Sequence, residues 1–520
     1  MTAAAMQSGR AEPWAPGTID AGLAIAARAA GLTFIAVPAP LTTAAATLDA
    51  FAGVRDEPRV AWTAGELTLV GIGSARELRG TGPERWTQIA RAAQGLEIAG
   101  AVIAGESAGL APLAPLGALG AARPRWIGGA AFAPGAADRA PWTGFGDAWF
   151  VLPRWTYVRD GARAQLVLAV DARDAGHAAR WRDELALLHA AFAAARPARP
   201  QPALVELQRA SAAEWHDQVV AITDAITAGT CSKIVAARTA TIALAGAVRA
   251  ADLLAALDHR HAECVRVLIQ PPGAGALIAA TPERLVRRDG DLVWCDALAG
   301  THRIASTVSA ASAAAGHDDA PAVRDRAVAE AGTQLLASLK DRREHALVVQ
   351  AIRAALSDGA EVDAPAEPAI RVLRHVVHLH TPFRARLRAP RHVLELAARL
   401  HPTPAVGGTP REIAIDWIRS REPVARGWYS APVGWFDLDG NGELAVAIRS
   451  GVLAGNRAHL WAGAGIVAGS DPDRELAETE LKLRAMLGAL GVTADPGALE
   501  LATTPGGSPG AGGAGGPESA

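Results

Sequence analysis

Residues 433–469 read VGWFDLDGNGELAVAIRSGVLAGNRAHLWAGAGIVAG, and this stretch decides the fold class. Its three apolar runs are separated by DGNG (439–442) and AGNR (454–457), short polar segments of the kind that close β-hairpins. The runs therefore predict three strands of an antiparallel meander. Farther upstream, Asp289 and Gly290 predict another hairpin turn between two apolar runs.

Long helical segments are predicted at residues 322–356 and 472–490. Helices and strands are thus mixed without the regular alternation that produces a parallel sheet, and the fold class is α+β. The segment AARPARPQPA (194–203) has the composition of a linker. Residues 504–520, TPGGSPGAGGAGGPESA, contain no large apolar side chain, so a disordered tail is expected there.

The composition excludes several classes of protein. The chain has 520 residues, half of them hydrophobic, with 51 lysines and arginines against 53 acidic residues. This balance gives no net attraction to nucleic acid or to an anionic membrane, so neither is an expected partner. The sparse cysteines, Cys231, Cys264 and Cys295, suit a reducing compartment, and no segment predicts a signal peptide or a membrane span. We therefore expect a cytoplasmic protein.

The glycine-rich turn at residues 463–469 resembles a nucleotide-binding loop, because glycines let backbone N–H groups approach an anion. A dinucleotide site needs this loop inside a βαβ unit, with an acidic residue about 20 positions later. Here antiparallel hairpins precede the loop. A tight turn from strand to helix is the better interpretation.

Two other patterns imitate metal sites. Residues 437–442, DLDGNG, begin like a calcium loop, but the twelfth position is Ile448, where a bidentate carboxylate is required. His375, His378 and His380 suggest zinc, yet no cysteine or further histidine lies at a recognisable ligand spacing. A hairpin turn is favoured for the first pattern, and structural or substrate-contacting histidines are favoured for the second.

The helix predicted after the glycine-rich turn has one charged face. Ser470 or Asp471 can cap its first turn. At about 3.6 residues per turn, Glu475, Glu478 and Lys482 share a face that is separate from the apolar stripe of the helix. A solvated pair of glutamate and lysine is the simpler interpretation of that face.

A second helix, SLKDRREH (338–345), carries Asp341 and Glu344 one turn apart. Carboxylates from two helices, completed by waters and an anionic substrate, make an open Mg²⁺ site, because Mg²⁺ prefers hard oxygen ligands and retains water. Two unrelated charged helix faces would give the same pattern. The residues alone leave both interpretations open.

Nine short motifs follow one another along the chain. They are KIVAAR (233–238), TPERL (281–285), ALAGT (297–301), SLKDRREH (338–345), HLHTPF (378–383), HPTPAVGGTP (401–410), RGWYSAPVGW (426–435), AIRSG (447–451) and LWAGAGIVAGSDPDRELAETELKL (460–483). In this order they resemble the isochorismate synthases of the chorismate-utilising enzyme family, of menaquinone or siderophore type. The resemblance is strong over residues 204–490, and FVLPRWTYVRDG (150–161) is similar to the N-terminal part of the family.

The resemblance implies a single chorismate-binding α+β fold, in which large antiparallel sheets and surrounding helices enclose a buried site. Residues 1–200 would form its N-terminal part, which is less strongly matched, and residues 201–492 its catalytic core. Residues 493–520 would be the disordered tail, rich in Gly, Pro and Ser. The linker near residue 194 would then be a surface loop within one domain. Family members of this kind are often monomers, so a monomer is expected.

The resemblance also assigns a reaction. An isochorismate synthase adds water at C2 of chorismate while the C4 hydroxyl leaves with migration of the double bond, which needs a base and an acid. By resemblance Lys233 is the base and Glu283 the acid. Lys233 must then be neutral and Glu283 protonated, and burial favours both of these forms. Without the resemblance, a surface lysine and a carboxylate at a helix start would be the simpler interpretations.

Chorismate is the implied substrate and Mg²⁺ the implied cofactor. Glu344 and Glu478 match the metal ligands of the family, and Asp341 and Glu475 are nearby carboxylates that would hold metal-bound water. The matching substrate-binding positions are Gly300, Thr301, His378, Ala405, Tyr429, Arg449, Gly463, Gly465 and Lys482. Among them, the arginine and the tyrosine would hold the enolpyruvyl carboxylate of the substrate.

Two positions distinguish members of the family. Anthranilate synthases usually carry Gln where this chain has Lys233, because their nucleophile is ammonia, so Lys233 argues for water. Salicylate synthases typically carry Thr where this chain has Ala405, which favours release of isochorismate over its further lyase reaction. The alternatives are a bifunctional salicylate synthase that releases pyruvate and a catalytically inactive chorismate-binding regulator. The same residues would serve menaquinone, siderophore or salicylate synthesis.

Overall fold

The computed structural model describes residues 18–54, 57–103, 113–194, 201–304, 320–374 and 376–492. All strands in these ranges belong to one hydrogen-bonded network. The strands are β1 (Leu32–Pro38), β2 (Arg59–Ala64), β3 (Leu67–Gly80), β4 (Ile98–Ile103), β5 (Arg125–Ala130), β6 (Ala148–Asp160), β7 (Arg163–Val170), β8 (Leu204–Arg209), β9 (Lys233–Leu244), β10 (Val265–Gln270), β11 (Ala276–Thr281), β12 (Arg284–Asp289), β13 (Leu292–Arg303), β14 (Ala360–Asp363), β15 (Ala369–Val372), β16 (Val376–Leu387), β17 (Gly408–Thr409), β18 (Pro432–Asp437), β19 (Gly442–Val446), β20 (Ser450–Ala454) and β21 (Arg457–Ile466). Among these described strands, only β1 and β4 pair in parallel.

The strand β6 is the point at which the network branches. It pairs with β3 along its whole length, with β5 through its first residues and with β7 through its last. Its sequence, AWFVLPRWTYVRD, favours a strand because it is rich in aromatic and β-branched residues. Pro153, which cannot donate a backbone hydrogen bond, lies opposite an irregularity in the register of β3.

Two antiparallel arms leave this branch point. The first arm continues from β3 through β2, β10, β11, β20 and β21 to β9. The second arm continues from β5 through β18, β19, β12 and β13 to β16. Each arm mixes strands from before and after residue 200, so the two parts of the chain share one sheet network. The boundaries at residues 200 and 492, and the monomeric state, stay predictions.

Two crossings between the arms position the site. At Pro282 and Glu283 the chain leaves β11 of the first arm and enters β12 of the second, and at residues 447–449 it passes from β19 back to β20. Backbone hydrogen bonds join the crossings, from Val446 N to the Glu283 oxygen (3.0 Å) and from Ala280 N to the Arg449 oxygen (3.1 Å). Residues at the two crossings are therefore held side by side.

Helices pack against both arms. The α-helices are α1 (Thr18–Ala26), α2 (Ala44–Phe51), α3 (Arg85–Gln94), α4 (Ala172–Ala175), α5 (Ala178–Ala193), α6 (Ala212–Thr227), α7 (Ala250–Arg260), α8 (Ala320–Ala337), α9 (Leu339–Ser357), α10 (Val393–Leu400), α11 (Arg411–Arg421) and α12 (Pro472–Ala489), with 3-10 helices at Ala52–Val54 and Leu116–Ala122. Helix α9 packs against β13 of the second arm, and α12 packs against β21 of the first. None of the described helices is long and apolar enough to cross a membrane.

The α+β class and the antiparallel hairpins are confirmed, with two corrections. The middle apolar run of residues 433–469 is two strands, β19 and β20, because Arg449 adopts a left-handed backbone conformation (φ 49°) that interrupts the run. The helix predicted at residues 322–356 is also two helices, α8 and α9. The interruption lies at Ser338, whose side chain caps α9 by accepting a hydrogen bond from Asp341 N.

The segment that imitates a calcium loop is a hairpin turn. Asp437 Oδ1 accepts hydrogen bonds from the backbone N–H groups of Asp439 and Asn441, both at 2.9 Å. An aspartate that satisfies its own turn in this way explains DLDGNG without a bound cation. Of the two irregular segments, the linker falls partly (195–200) and the tail wholly outside the described residues.

Aromatic side chains pack the core next to the branch point. Phe436 on β18 lies against Trp126 on β5 and Phe150 on β6, with ring centroids 6.2 and 5.1 Å away. All three side chains are buried. Because such contacts contribute both buried apolar area and favourable ring geometry, they fix the second arm onto β6.

Candidate active site

A cavity opens beside the two crossings, bounded by β9 and β21 of the first arm and by β13 and β16 of the second. Most of the predicted site residues line it: Glu283, Gly300, Thr301, Glu344, His378, Ala405, Tyr429, Arg449, Gly463, Gly465, Glu478 and Lys482. Lys233, Asp341 and Glu475 are not in this lining. The structure thus brings together residues that lie up to about 200 positions apart in the sequence.

Lys233 lies at the start of β9 and is completely buried. Its Nζ is 2.7 Å from Oε1 of Glu344 on α9, so one predicted metal ligand is the ion-pair partner of the predicted base. Burial acts to raise the pKa of Glu344, but the charge and hydrogen bond of Lys233 outweigh it and hold that pKa below its usual value. The interpretation of Lys233 as a surface lysine is wrong.

Gly465 leaves room for this ion pair. It lies on β21, opposite Val235 in β9. A Cβ atom at this position would be 2.2 Å from Oε1 of Glu344 and 2.8 Å from Cε of Lys233. Any side chain here would displace the pair, because these separations are far shorter than van der Waals contact. The side chains of Lys233 and Glu344 therefore explain why glycine is needed here, and a bound phosphate group is not required for that explanation.

Glu283 occupies the first crossing, and its side chain is buried. Burial raises the pKa of this carboxyl to about 7, although the charges of Lys233 and Lys482 oppose the shift, and Asp296 adds to it. A carboxyl with this pKa is protonated in a large share of molecules near neutral pH, as a proton donor must be. Glu283 precedes a strand, which corrects the interpretation of a carboxylate at a helix start.

Four carboxylates converge from two helices, Asp341 and Glu344 from α9 and Glu475 and Glu478 from α12. Burial raises the pKa of Asp341 and of Glu475, and the charge of Glu478 raises both further. Of the four, Glu344 and Glu478 line the cavity, and their carboxylates offer the hard oxygen donors that Mg²⁺ prefers.

Lysines neutralise part of this negative charge. The pairs are Lys233 with Glu344, Lys340 with Glu475 and Lys482 with Glu478. These are the only three lysines in the whole sequence, against 51 lysines and arginines together. A chain that otherwise uses arginine has thus kept lysine, a compact cation that can lose its proton, at three positions around one site. Sequence reasoning misses Lys340, although the scarcity of lysine would have revealed it.

The second crossing carries Arg449, whose guanidinium NH2 is 3.3 Å from Nε2 of His378. Nδ1 of this histidine is 3.0 Å from the Gly300 oxygen and 3.2 Å from Oγ1 of Thr301. Burial, together with the charge of Arg449, lowers the pKa of His378 to about 3, so the ring is neutral. A neutral ring that donates from Nδ1 to the Gly300 carbonyl accepts at Nε2, and it therefore orients the guanidinium.

Tyr429 and Lys482 complete the wall of the cavity. The Tyr429 ring stacks on Trp461 with 6.1 Å between centroids, and burial raises the pKa of its hydroxyl, which stays protonated. Lys482 Nζ donates to the Gly463 oxygen at 2.7 Å. Sequence reasoning misses Trp461, although the alternation of side chains along β21 places it on the same face as Gly463 and Gly465.

Arg426 is another lining residue that sequence reasoning misses. It donates to the backbone oxygens of Val406 and Val235, both at 2.7 Å, and it pairs with the buried Glu422. A guanidinium that bridges two backbone segments in this way fixes the loop containing Ala405 against β9. The motif RGWYSAPVGW therefore contributes a structural clamp in addition to its tyrosine.

Among the described residues, His378 and His380 are not part of a group of metal-binding side chains. His378 and His380 each have protein partners, and His375 lies outside the described residues. Across the described ranges, the group of ligand-type atoms that approach within 4.8 Å of one another belongs to His261, Glu263 and Cys264. The favoured interpretation, in which His378 lines the pocket, agrees with its position.

Comparisons with known proteins identify relatives of the chain. A family model described as chorismate binding enzyme matches residues 24–491. The chain is 37% identical over 442 residues to the salicylate biosynthesis isochorismate synthase of Pseudomonas aeruginosa, which covers 84% of this chain and 85% of that protein. It is 37% identical over 279 residues to isochorismate synthase MenF of Bacillus subtilis, covering 54% of this chain and 55% of that one.

A solved structure has the same fold. The menaquinone-specific isochorismate synthase MenF from Escherichia coli superposes with a TM-score of 0.68 and 25% identity, covering 91% of this chain and all of that one. The resemblance inferred from nine ordered motifs is thereby confirmed. Both the family model and the Pseudomonas relative span most of the sequence. The chain belongs to the family of chorismate binding enzymes.

Proposed function

We propose that the protein is a Mg²⁺-dependent isochorismate synthase. The observation that carries the proposal is that Glu283 lies buried in the lining of the cavity, while Lys233, buried behind that lining, contacts the lining residue Glu344. Glu283 and Lys233 are the two kinds of proton-transfer group that the reaction needs. Two relatives that are named isochorismate synthases support the same activity. One matches 84% of this chain and the other matches 54% of it.

The reaction replaces the hydroxyl group at C4 of the ring with a new hydroxyl group at C2. An oxygen of water forms a bond to C2 of chorismate, the double bond shifts, and the bond from C4 to its hydroxyl breaks. Lys233 takes a proton from the attacking water, which requires that the lysine first give up the proton it holds in the ion pair with Glu344. Glu283 gives a proton to the departing hydroxyl, which leaves as water, so atoms and charge balance. Each transfer of this kind contributes roughly 10²–10⁴-fold to the rate.

The charged surroundings suit these opposite roles. Burial penalises the carboxylate form of Glu283 and raises its pKa to about 7, whereas Lys233 compensates the charge of Glu344 and lowers the pKa of that carboxyl. The contact with Glu344 also fixes the direction of the Lys233 side chain. A fixed base and a fixed acid lower the entropy cost of reaching the reactive geometry.

Glu344 and Glu478 would hold Mg²⁺ directly, with Asp341 and Glu475 contacting its waters. When bound, the ion would grip the ring carboxylate of the substrate and offset negative charge there. Two protein ligands suffice, because Mg²⁺ usually retains several waters and accepts substrate oxygens. Each of these two carboxylates is paired with a lysine, Glu344 with Lys233 and Glu478 with Lys482.

The opposite carboxylate of the substrate has its own partners. Arg449 and Tyr429 line the cavity, and His378 orients the guanidinium of the arginine. A guanidinium can donate two parallel hydrogen bonds to a carboxylate, and this interaction is stronger when it is buried. The enolpyruvyl carboxylate would therefore lie at the second crossing, next to Arg449, and close to Glu283 at the first crossing.

Ala405 bears on the alternative of a salicylate synthase. Its methyl group lines the cavity and offers no hydroxyl to the substrate. The intact set of base, acid and carboxylates speaks against an inactive regulator. We therefore propose that isochorismate is released without loss of pyruvate. Isochorismate released in this way would serve menaquinone, siderophore or salicylate synthesis alike.

The proposal is tested by incubating the purified protein with chorismate, with and without Mg²⁺, and separating the products over time. We expect Mg²⁺-dependent isochorismate and no pyruvate. Glu478→Gln, which removes one ligand charge, should raise the Mg²⁺ concentration for half-maximal rate about tenfold or more. Glu480→Gln is the matched control, because Glu480 lies on the same helix and pairs with Arg238. Salicylate with pyruvate would support the alternative, and an unchanged Mg²⁺ titration would remove Glu478 from the ligands.

The role of Lys233 is tested with two substitutions. Lys233→Ala removes the base, and Lys233→Arg keeps the charge beside Glu344 but cannot give up its proton. Both variants should lose roughly 10²–10⁴-fold in kcat, because proton abstraction from water is lost. Chorismate binding, measured by calorimetry, should be retained at least in Lys233→Arg. Turnover near the original rate in either variant would show that Lys233 is not the base.

The role of Glu283 appears in the dependence of kcat/KM on pH. Its pKa is raised to about 7, and the protonated form is the active one. Loss of the Glu283 proton should therefore lower the rate above this value, by about tenfold for each further pH unit. Glu283→Gln keeps the shape but cannot donate a proton, so it should lose most activity at every pH. A profile that stays flat from pH 6 to 9, measured by initial rates, would contradict the assignment.

A further inference from the structure

A second cavity adjoins the first. It lies between α6, β9 and the C-terminal end of α11, and its volume is about 360 Å³. Sites for small molecules in proteins commonly have volumes of about 300–1,000 Å³. Trp461 lines both cavities and forms the wall between them. None of the roles proposed for the catalytic reaction uses this second space.

Three indole rings from separate elements line the second cavity. They belong to Trp215 on α6, Trp417 on α11 and Trp461 on β21. Trp215 and Trp461 are buried, and Trp417 is partly buried. Indole rings present flat apolar surfaces that favour another flat ring over an aliphatic group of equal size. The ligand that matches these walls is therefore planar and aromatic.

The charges of the lining limit the ligand further. Arg421, the last residue of α11, lies exposed at the cavity and has no ion-pair partner among the described residues. Arg238 and Glu422 are already paired, and Glu214 caps its own helix. A carboxylate can thus pair with Arg421. Asp217, the remaining charged residue, would repel a second anionic group. Chorismate, which carries two carboxylates, is disfavoured here.

The walls of this cavity are bonded to the catalytic elements. Trp461 stacks on Tyr429, and the Trp215 indole N–H donates to the Pro472 oxygen (3.2 Å) at the start of α12. Glu422 accepts a hydrogen bond from Ala237 N (3.1 Å) and pairs with Arg426, the clamp of the catalytic wall. A ligand that moves these groups would move residues of the catalytic cavity.

We propose that the second cavity binds a planar aromatic monocarboxylate and that its occupancy changes turnover in the catalytic cavity. The cavity, its indole walls and Arg421 are the observations that support the binding site. Only the effect on turnover rests on the proposed function, so the two parts can fail separately. The chemistry of the ligand is that of a small aromatic acid with one ring system and a single negative charge.

The binding is tested by calorimetry with indole-3-carboxylate as the probe, on the full chain. We expect one molecule bound per chain with a dissociation constant below 1 mM, and the same binding in saturating chorismate. Arg421→Gln should weaken it at least tenfold, because a charge-assisted hydrogen bond is lost. Arg419→Gln is the matched control: Arg419 lies two residues away, exposed and paired with Asp416, and should leave binding unchanged.

Two further probes test the class of ligand. Indole lacks the carboxylate and cyclohexanecarboxylate lacks the aromatic ring, so both should bind at least tenfold more weakly. No binding of indole-3-carboxylate up to several millimolar would overturn the site. Its displacement by chorismate would place the probe in the catalytic cavity and overturn the site as well. Equal losses in Arg421→Gln and Arg419→Gln would remove Arg421 from it.

The effect on turnover is measured as kcat for chorismate against probe concentration. We expect a saturable change with a midpoint at the calorimetric dissociation constant, and no change in Arg421→Gln over the same range. Arg421→Gln without probe should turn over at the original rate, since it touches no catalytic group. A bound probe that leaves kcat and KM unaltered would overturn the coupling. If chorismate is not turned over at all, the proposed function fails while the binding result still stands.

Discussion

The paired hydrogen bonds between the two crossings are the constraint on which the site depends. At these crossings the chain passes between the arms in opposite directions, and the bonds from Val446 N to the Glu283 oxygen and from Ala280 N to the Arg449 oxygen hold the passages together. A buried backbone group without a partner costs about 1–3 kcal/mol, so the pairing is strongly specified. The candidate acid and the candidate carboxylate-binding arginine are thereby adjacent before any ligand binds, and the arms add the remaining groups from either side.

Electrostatics then separates groups that have similar chemistry. Glu283 is buried and Glu344 is largely buried, yet the pKa of the first is raised to about 7 and that of the second is lowered, because only Glu344 has a lysine within hydrogen-bond distance. In a place of low dielectric, one added cation changes the favoured protonation state. The charges of all three lysines of the chain lower the pKa of Glu344. Gly465 provides the space in which Lys233 reaches this carboxylate.

Much of this arrangement could be predicted from the sequence. Hairpin signals predicted the antiparallel meander, and the periodicity of the last helix placed Glu475, Glu478 and Lys482 on one face. Local patterns could not predict that Arg449 interrupts a strand, because its left-handed backbone is imposed by the crossing and not by its own preference. The contact between Lys233 and Glu344 was equally out of reach, since 110 intervening residues and the packing of α9 on β13 determine it. Trp461, Arg426 and Lys340 line or support the site without belonging to a pattern that marks chemistry.

In the proposed reaction, water attacks C2 of chorismate while Glu283 protonates the departing C4 hydroxyl. The most direct measurement is turnover of chorismate in water enriched in oxygen-18, with mass analysis of isochorismate at early times. We expect one heavy oxygen in each isochorismate molecule, at the C2 hydroxyl, and unlabelled chorismate before the reverse reaction sets in. Isochorismate without the label would mean that the hydroxyl moves within the substrate, and it would contradict the roles given to Lys233 and Glu283.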